Sequence, residues 1–259
     1  MANGKMHHIQ CARGEVGEYV FLPGDPARAE LIAAYFDSNE FVVSSREFTT
    51  YSGSLDGAKV SVTSTGIGGP SAAIALEELV KLGAHTFIRV GTCGGISESL
   101  EPGRLIIPTA AIRKDGTGKE YLPVEFPAVA DFYLVSALKE AAERRNVSYR
   151  IGVVECKDSY YGQHEPERMP VGDMLMQKWQ MWKMAGALAS EMESSTLFVV
   201  ASVLQVRCAS VLLLRRNREW EQALGMQPYY ADSIQVAAET AVGAMRDVIA
   251  QDRRQKTCR

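Results

Sequence analysis

Five short segments hold residue types that can act on an anion, a sugar or a heterocycle. The first is Pro23-Gly24-Asp25-Pro26-Ala27-Arg28. Asp25 suits an N-cap and Pro26 a first helical position, while Gly24 lets the backbone turn and approach a ligand. Arg28 then falls in a first helical turn, where a cation opposes the macrodipole. A bound oxyanion would remove that conflict, because free N–H groups and the guanidinium would both face it. A capped turn with a solvated arginine is the plain alternative. The second segment, Thr65-Gly66-Ile67-Gly68-Gly69-Pro70-Ser71, departs from a dinucleotide fingerprint. Ser71 stands where a third glycine belongs, and Arg89, not an acid, lies near the end of the next strand. No Gly-x-x-x-x-Gly-Lys-Ser/Thr run occurs, so a P-loop is excluded. A tight strand-to-helix turn and a small-ligand loop both remain open.

The third segment, Ile88-Arg89-Val90-Gly91-Thr92-Cys93-Gly94-Gly95, puts Arg89 in an apolar strand that should be buried on both faces. A buried guanidinium needs a carboxylate or a bound anion, and either would serve. In the fourth, Ser190-Glu191-Met192-Glu193-Ser194-Ser195, Ser190 and Glu193 have capping-box spacing. Alternatively, a carboxylate there grips the vicinal hydroxyls of a sugar and Met192 packs on its apolar face. The fifth runs from Tyr160 to Arg168. Gln163 offers a donor and an acceptor and Arg168 a fork of donors, which suits the edge of a heterocycle bearing carbonyls. A polar surface loop is the other reading.

The elements that must position these segments alternate. Strand-like runs are expected at 18–22, 59–65, 86–90, 104–108, 149–155 and 207–214. Helical patterns cover 26–36, the stretch ending at 82, 132–144, 195–204 and 232–252, and 174–184 reads as a packed amphipathic helix or part of a subunit contact. Gly91 to Gly95 reads as a loop after its strand. Such alternation argues for an α/β sandwich around a largely buried sheet, with the ligand at the carboxyl ends of the strands. With 259 residues, no linker and no repeat, a single domain over 1–259 is expected.

Composition narrows the classes. Lys and Arg number 28 against 31 Asp and Glu, a net charge of −3 that disfavours a nucleic-acid partner held by bulk charge. No apolar run reaches the ~20 residues of a membrane span, and no apolar stretch near the start reads as a secretory signal. Five widely spaced cysteines, including Cys258, form no Cys-x-x-Cys pair, so no disulfide framework or zinc site is expected and a cytoplasmic setting is.

Taken in order, Pro23-Gly24-Asp25-Pro26-x-Arg28, Ser45-Arg46-Glu47-Phe48, Ser64 to Ser71, Arg89-Val90-Gly91-Thr92, Glu125-Phe126-Pro127-Ala128-Val129-Ala130-Asp131 and Glu191-Met192-Glu193-Ser194 resemble the nucleoside phosphorylase family. The resemblance runs from about His8 to the closing helix. It implies a three-layer α/β/α fold with a central mixed, partly barrel-like sheet. It implies a phosphate site of Gly24, Arg28, Arg89 and Thr92, with Arg46 reaching in from a neighbouring subunit. Ribose would be held by Glu191, Met192 and Glu193, helped by the neighbour's His8. Cys93 and Gly94 would line the base pocket, Gln163 and Arg168 would read uracil, and Tyr160 would lie near it. Arg89, Thr92 and Glu193 are the expected catalytic set.

In some relatives the positions of Glu47, Ile67 and Ser71 hold a monovalent cation such as potassium between subunits. No metal or organic cofactor is otherwise implied, inorganic phosphate being a co-substrate. A homodimer, or a hexamer of three dimers, is expected. Purine-specific relatives place an aspartate on the strand after the Glu-Met-Glu helix. Here Ser210 to Asn217 holds none, and Leu213 and Leu214 would form an apolar wall. That favours uridine or deoxyuridine over a purine nucleoside, and retention of the arginines favours phosphate over water as nucleophile. A purine-cleaving enzyme and a non-catalytic nucleoside-binding protein are the alternatives. Arg215, Arg216, Arg218 and Trp220 depart from the family pattern, with Arg216 matched to a lid arginine.

Overall fold

The structure is a computed structural model that describes residues 4–257, the last two of these by backbone alone; Cys258 lies outside the described residues. Its strands are β1 (Tyr19–Pro23), β2 (Ser38–Ser45), β3 (Phe48–Leu55), β4 (Ala58–Thr63), β5 (Thr86–Gly95), β6 (Leu105–Arg113), β7 (Ala128–Val129), β8 (Tyr149–Cys156), β9 (Ala189–Glu191) and β10 (Arg207–Arg216). The helices are α1 (Ala27–Ala33), α2 (Gly69–Lys81), α3 (Thr117–Tyr121), α4 (Phe132–Arg144), α5 (Tyr160–His164), α6 (Gly172–Met184), α7 (Ser194–Val203), α8 (Arg218–Ala223) and α9 (Ile234–Thr257).

The sheet runs β10-β6-β8-β9-β5-β1-β4-β3-β2, with β7 paired to β6. Because β10 also pairs with β5, the strands β5, β10, β6, β8 and β9 close into a barrel, and β1, β4, β3 and β2 extend from it as a wing. Alternation along each strand divides the apolar side chains between two cores. Val20, Leu22, Phe87, Leu212 and Leu214 pack with α2 and α7. Tyr19, Phe21, Ile88, Val90, Val211 and Leu213 pack with α1, α4 and α9. Each large fully buried chain, such as Phe21 or Phe87, contributes about 1.5–3 kcal/mol through removal from water. Helices therefore cover both faces of a mixed sheet, the expected three-layer architecture.

Several boundaries differ from the sequence reading. Gly91 to Gly95 is not a loop: it is the second half of β5, paired with β10 on one side and, at Gly94 and Gly95, with β9 on the other. The β2–β3 hairpin is not expected from the sequence, because β2 is mostly exposed and its apolar residues, Phe41, Val42 and Val43, are consecutive rather than alternating. The helix α6 packs along one face only: Gly172 is buried, Leu175, Trp179 and Trp182 are half-buried, and Met174, Met176, Met181 and Met184 are exposed. Leu213 and Leu214 lie in different cores on opposite faces of β10, so they cannot wall one pocket together.

Candidate active site

The carboxyl ends of β1, β4 and β5 bring the first three segments together. Asp25 accepts the Ala27 N–H at 3.0 Å and starts α1 as expected. The Thr65 N–H donates to Pro23 O at 2.8 Å and the Gly66 N–H to Gly24 O at 2.9 Å, so the two loops run side by side. Gly66 has φ +67°, and a Cβ there would strike the Glu47 and Ser71 side chains. Glycine is therefore required at this close approach. Arg28, in the first turn of α1, is half-buried and has no ion-pair partner among the described residues. Burial, with Arg89 and Arg215 nearby, pulls its guanidinium below its ordinary value against the opposing pull of Asp25.

Arg89 is buried, and both open readings of its partner narrow to a carboxylate pair. Its Nε donates to Glu191 Oε2 at 3.1 Å, its Nη2 donates to Glu193, and its Nη1 is buried without a partner. A Cβ on Gly91 would lie 2.8 Å from Arg89 Nη2, so the guanidinium passes beneath a glycine. The capping role expected for Glu193 belongs to Glu191, whose oxygens accept the Ser194 N–H at 2.9 and 3.1 Å and the Glu193 N–H at 3.0 Å. Glu193 instead accepts the Gly68 N–H at 2.6 Å, linking α7 to the start of α2. Burial pushes the Glu193 carboxyl up while Arg89 pulls it down. Arg89 remains protonated, because two buried carboxylates raise it against desolvation. Met192 is half-buried between these two acids, and the half-buried Thr92 hydroxyl makes no hydrogen bond among the described residues.

Farther along β5, Cys93 is buried with its thiol pushed up by desolvation, and Gly94 faces Gln163 Nε2 at 3.9 Å from an added Cβ. Gln163 Oε1 lies 3.1 Å from Ser190 Oγ. Ser190 Oγ also accepts from Lys157 Nζ at 2.5 Å and donates to Glu155, whose other oxygen is held by Lys114 at 2.9 Å. The cation beside Gln163 is thus the buried Lys157, drawn down by burial with Glu155 and Glu191 opposing. Arg168 is not there. It is 62% exposed, pairs with Glu165 at 2.8 Å and lies over the Tyr161 ring. Pro166 opens a 3-10 turn that carries Arg168 outward. Tyr160 is exposed and packs on His164 at 4.3 Å between centroids. Sequence reasoning missed Lys157 and His164; the only available signal for Lys157 was a lysine directly following an apolar strand.

The remaining expected residues gather elsewhere. Arg46 is exposed at the β2–β3 turn with φ +56° and has no ion-pair partner among the described residues. Beside it, Ser71 Oγ lies 2.6 Å from a Glu47 carboxylate oxygen and 2.5 Å from Thr65 O, which compete for its one proton, and Ile67 is 77% exposed. His8 Nδ1 lies 2.7 Å from Glu78 Oε1, and both His8 and Arg46 act electrostatically on Glu47. Of the three arginines expected to surround one anion, Arg28 and Arg89 are near enough to act electrostatically on each other, while Arg46 acts on Glu47. Arg216 is held by Glu221 and Tyr230, and Arg215 by Asp232. Among the described residues no His/Cys/Asp/Glu group could hold a metal ion, and no helix is long and apolar enough to cross a membrane.

A closed barrel with a wing, bearing two carboxylates around a buried arginine at the strand ends, defines an α/β protein with its candidate site at the carboxyl ends of the strands. The Phosphorylase superfamily profile matches residues 18–250, and the chain belongs to that family. It is 51% identical to a uridine phosphorylase of Treponema pallidum (strain Nichols), the match covering 95% of each chain. It is 35% identical to a uridine phosphorylase of Escherichia coli (strain K12) over 93% of this chain and 98% of that one. It is also 36% identical to a guanosine phosphorylase of Halorubrum lacusprofundi, over 82% of this chain and 84% of the relative.

Proposed function

We propose that this chain catalyses phosphate-dependent cleavage of uridine to uracil and ribose 1-phosphate. The carrying observation is Arg89: two donors are spent on Glu191 and Glu193, a third is buried without an acceptor, and Arg28 lies within its electrostatic reach. Glu191 positions, Glu193 and Met192 face the sugar, and Arg28, Arg89, Gly24 and Thr92 take the oxyanion. The C1′–N1 bond breaks with its electron pair leaving on the base, a phosphate oxygen forms the new bond to C1′, and the uracil anion takes a proton from water. Lys157 and Gln163 stabilise charge spreading onto the uracil carbonyls, while Cys93 and Gly94 form the floor. This is catalysis by orientation and preorganised charge.

Arg46 and His8 lie on one surface with Glu47, Ile67 and Ser71, which supports a dimer whose partner completes each site and a monovalent cation bound on that surface. We take residues 1–259 as one domain. The free buried thiols of Cys11, Cys93, Cys156 and Cys208 suit a cytoplasmic enzyme. The relative named a guanosine phosphorylase makes a purine nucleoside the second reading. Release of base from uridine, deoxyuridine, inosine and guanosine, with and without phosphate, tests the reading. Faster cleavage of either purine nucleoside, or release that ignores phosphate, overturns it.

A further inference from the structure

Gln163, which the proposed function puts at the base, and its neighbour His164 sit on α5, a helix of five residues followed by a turn and then by α6, in which Gly172 alone is fully buried. Such a segment cannot hold a side chain within the tolerance that discrimination needs unless something braces it. The brace comes from two adjacent residues of α8. Arg218 Nη1 donates to His164 O at 3.1 Å, at the end of α5. Glu219 accepts from Trp179 Nε1 at 2.9 Å and from Lys183 Nζ at 2.5 Å, both on α6. Lys183 is shared with Glu98 at 2.6 Å, which ties α6 to the loop after β5.

The brace itself is fixed. Asn217, fully buried, donates from Nδ2 to Ser97 O and Leu100 O at 2.7 Å each and accepts the Trp220 N–H at 3.3 Å. A Cβ on Gly95 would fall 2.2 Å from Asn217 Cγ, so the start of α8 is seated against the end of β5. The same strand carries Arg89 and Gly94. One rigid origin therefore locates the anion end directly and the base end through α8.

We propose that Glu219 is a positioning residue that sets base recognition by holding α6, and through it Gln163 and His164, at a fixed distance from β5. This rests on the uridine reading of the site. Glu219→Ala removes both contacts to α6; Glu219→Gln keeps an acceptor for Trp179 and loses the ion pair. For Glu219→Ala, KM for uridine should rise about tenfold, the scale of a lost charge-assisted contact. KM for phosphate should stay within about twofold, because Arg28 and Arg89 depend on other elements. Glu219→Gln should recover most of the loss. In Glu219→Ala/Gln163→Ala the two effects should fail to add, since one acts through the other.

Calorimetric titration of each variant with uracil reads the same brace without turnover, and should show weaker binding in Glu219→Ala. Unchanged uridine KM and uracil affinity overturn the proposal. A joint rise of both KM values with a lowered melting temperature also overturns it, because that marks a merely structural role, and additivity with Gln163→Ala does the same. If the wild type releases no uracil with phosphate but binds uracil, the functional reading fails while the titrations still decide the brace. A wild type that binds no uracil overturns both.

Discussion

Glu191 holds the Arg89 side chain by an Nε–Oε2 hydrogen bond of 3.1 Å while the same carboxylate caps α7. One acid thus joins β5 to the start of α7, next to Glu193. The orientation of Arg89 and the folding of α7 are set by one group.

Arg89→Ala should lower phosphate-dependent turnover about a hundred- to thousandfold, the scale of one lost electrostatic donor. It should also destabilise the fold by about 3–5 kcal/mol, since Glu191 and Glu193 would remain buried without their cation. Uracil release at varied phosphate and urea unfolding check the two effects separately. Unchanged turnover refutes the assignment of Arg89.

Lys157 and Arg168 make a decisive pair. Lys157→Ala should lower kcat/KM for uridine about ten- to hundredfold, because a buried cation beside the leaving base is lost. Arg168→Ala should change it less than about twofold, as an exposed pair with Glu165 is worth little. The reverse ranking, in steady-state assays of both variants, would return the base-reading role to Arg168.

His164 gives a pH signature. Burial first, then Arg218, Lys157 and Arg216, hold its imidazole down at about 4, against 6.5 in the unfolded chain. Below pH 6.5 the unfolded chain takes up a proton that the folded chain refuses. Stability therefore falls as pH drops from 6.5 towards 4 and stops falling on this account below that. His164→Gln should lose less of its melting temperature across the window than the wild type. Parallel calorimetric scans at pH 7, 6, 5 and 4 measure the difference, and matching curves for the two proteins count against a depressed His164.

Subunit sharing predicts complementation. Arg28→Ala and Arg46→Ala should each be nearly inactive, yet a mixed dimer of the two holds one site with both arginines and one with neither. Random reassociation in a two-fold dimer should restore about a quarter of wild-type activity. Co-expression with two affinity tags isolates the mixed species. No recovery would place Arg46 outside the neighbour's site.

The limits of the sequence reading have physical reasons. The helix over 132–144 coincides with α4, because Asp131 caps it and its apolar spacing is regular. Arg89 was legible as needing compensation, but its acids are 102 and 104 positions away, and no local pattern names them. The glycines of Gly91 to Gly95 carry a loop signal that barrel closure overrides, since pairing to β10 and β9 satisfies their backbone. Lys157 acquires its place from Ser190 on β9, a distant strand, as well as from Glu155 just before it, and Arg168 is carried outward by a single proline turn.

The second half of β5 works as a ruler. Arg89, Thr92, Cys93 and Gly94 stand on one strand, so under the proposed function the spacing between oxyanion and nucleobase follows a rise of about 3.3 Å per residue. Inserting or deleting one residue would flip every side chain beyond it. Divergence towards larger or smaller bases must then be written in the peripheral pieces, α5, the end of β8 and α8, while the graduated strand stays untouched.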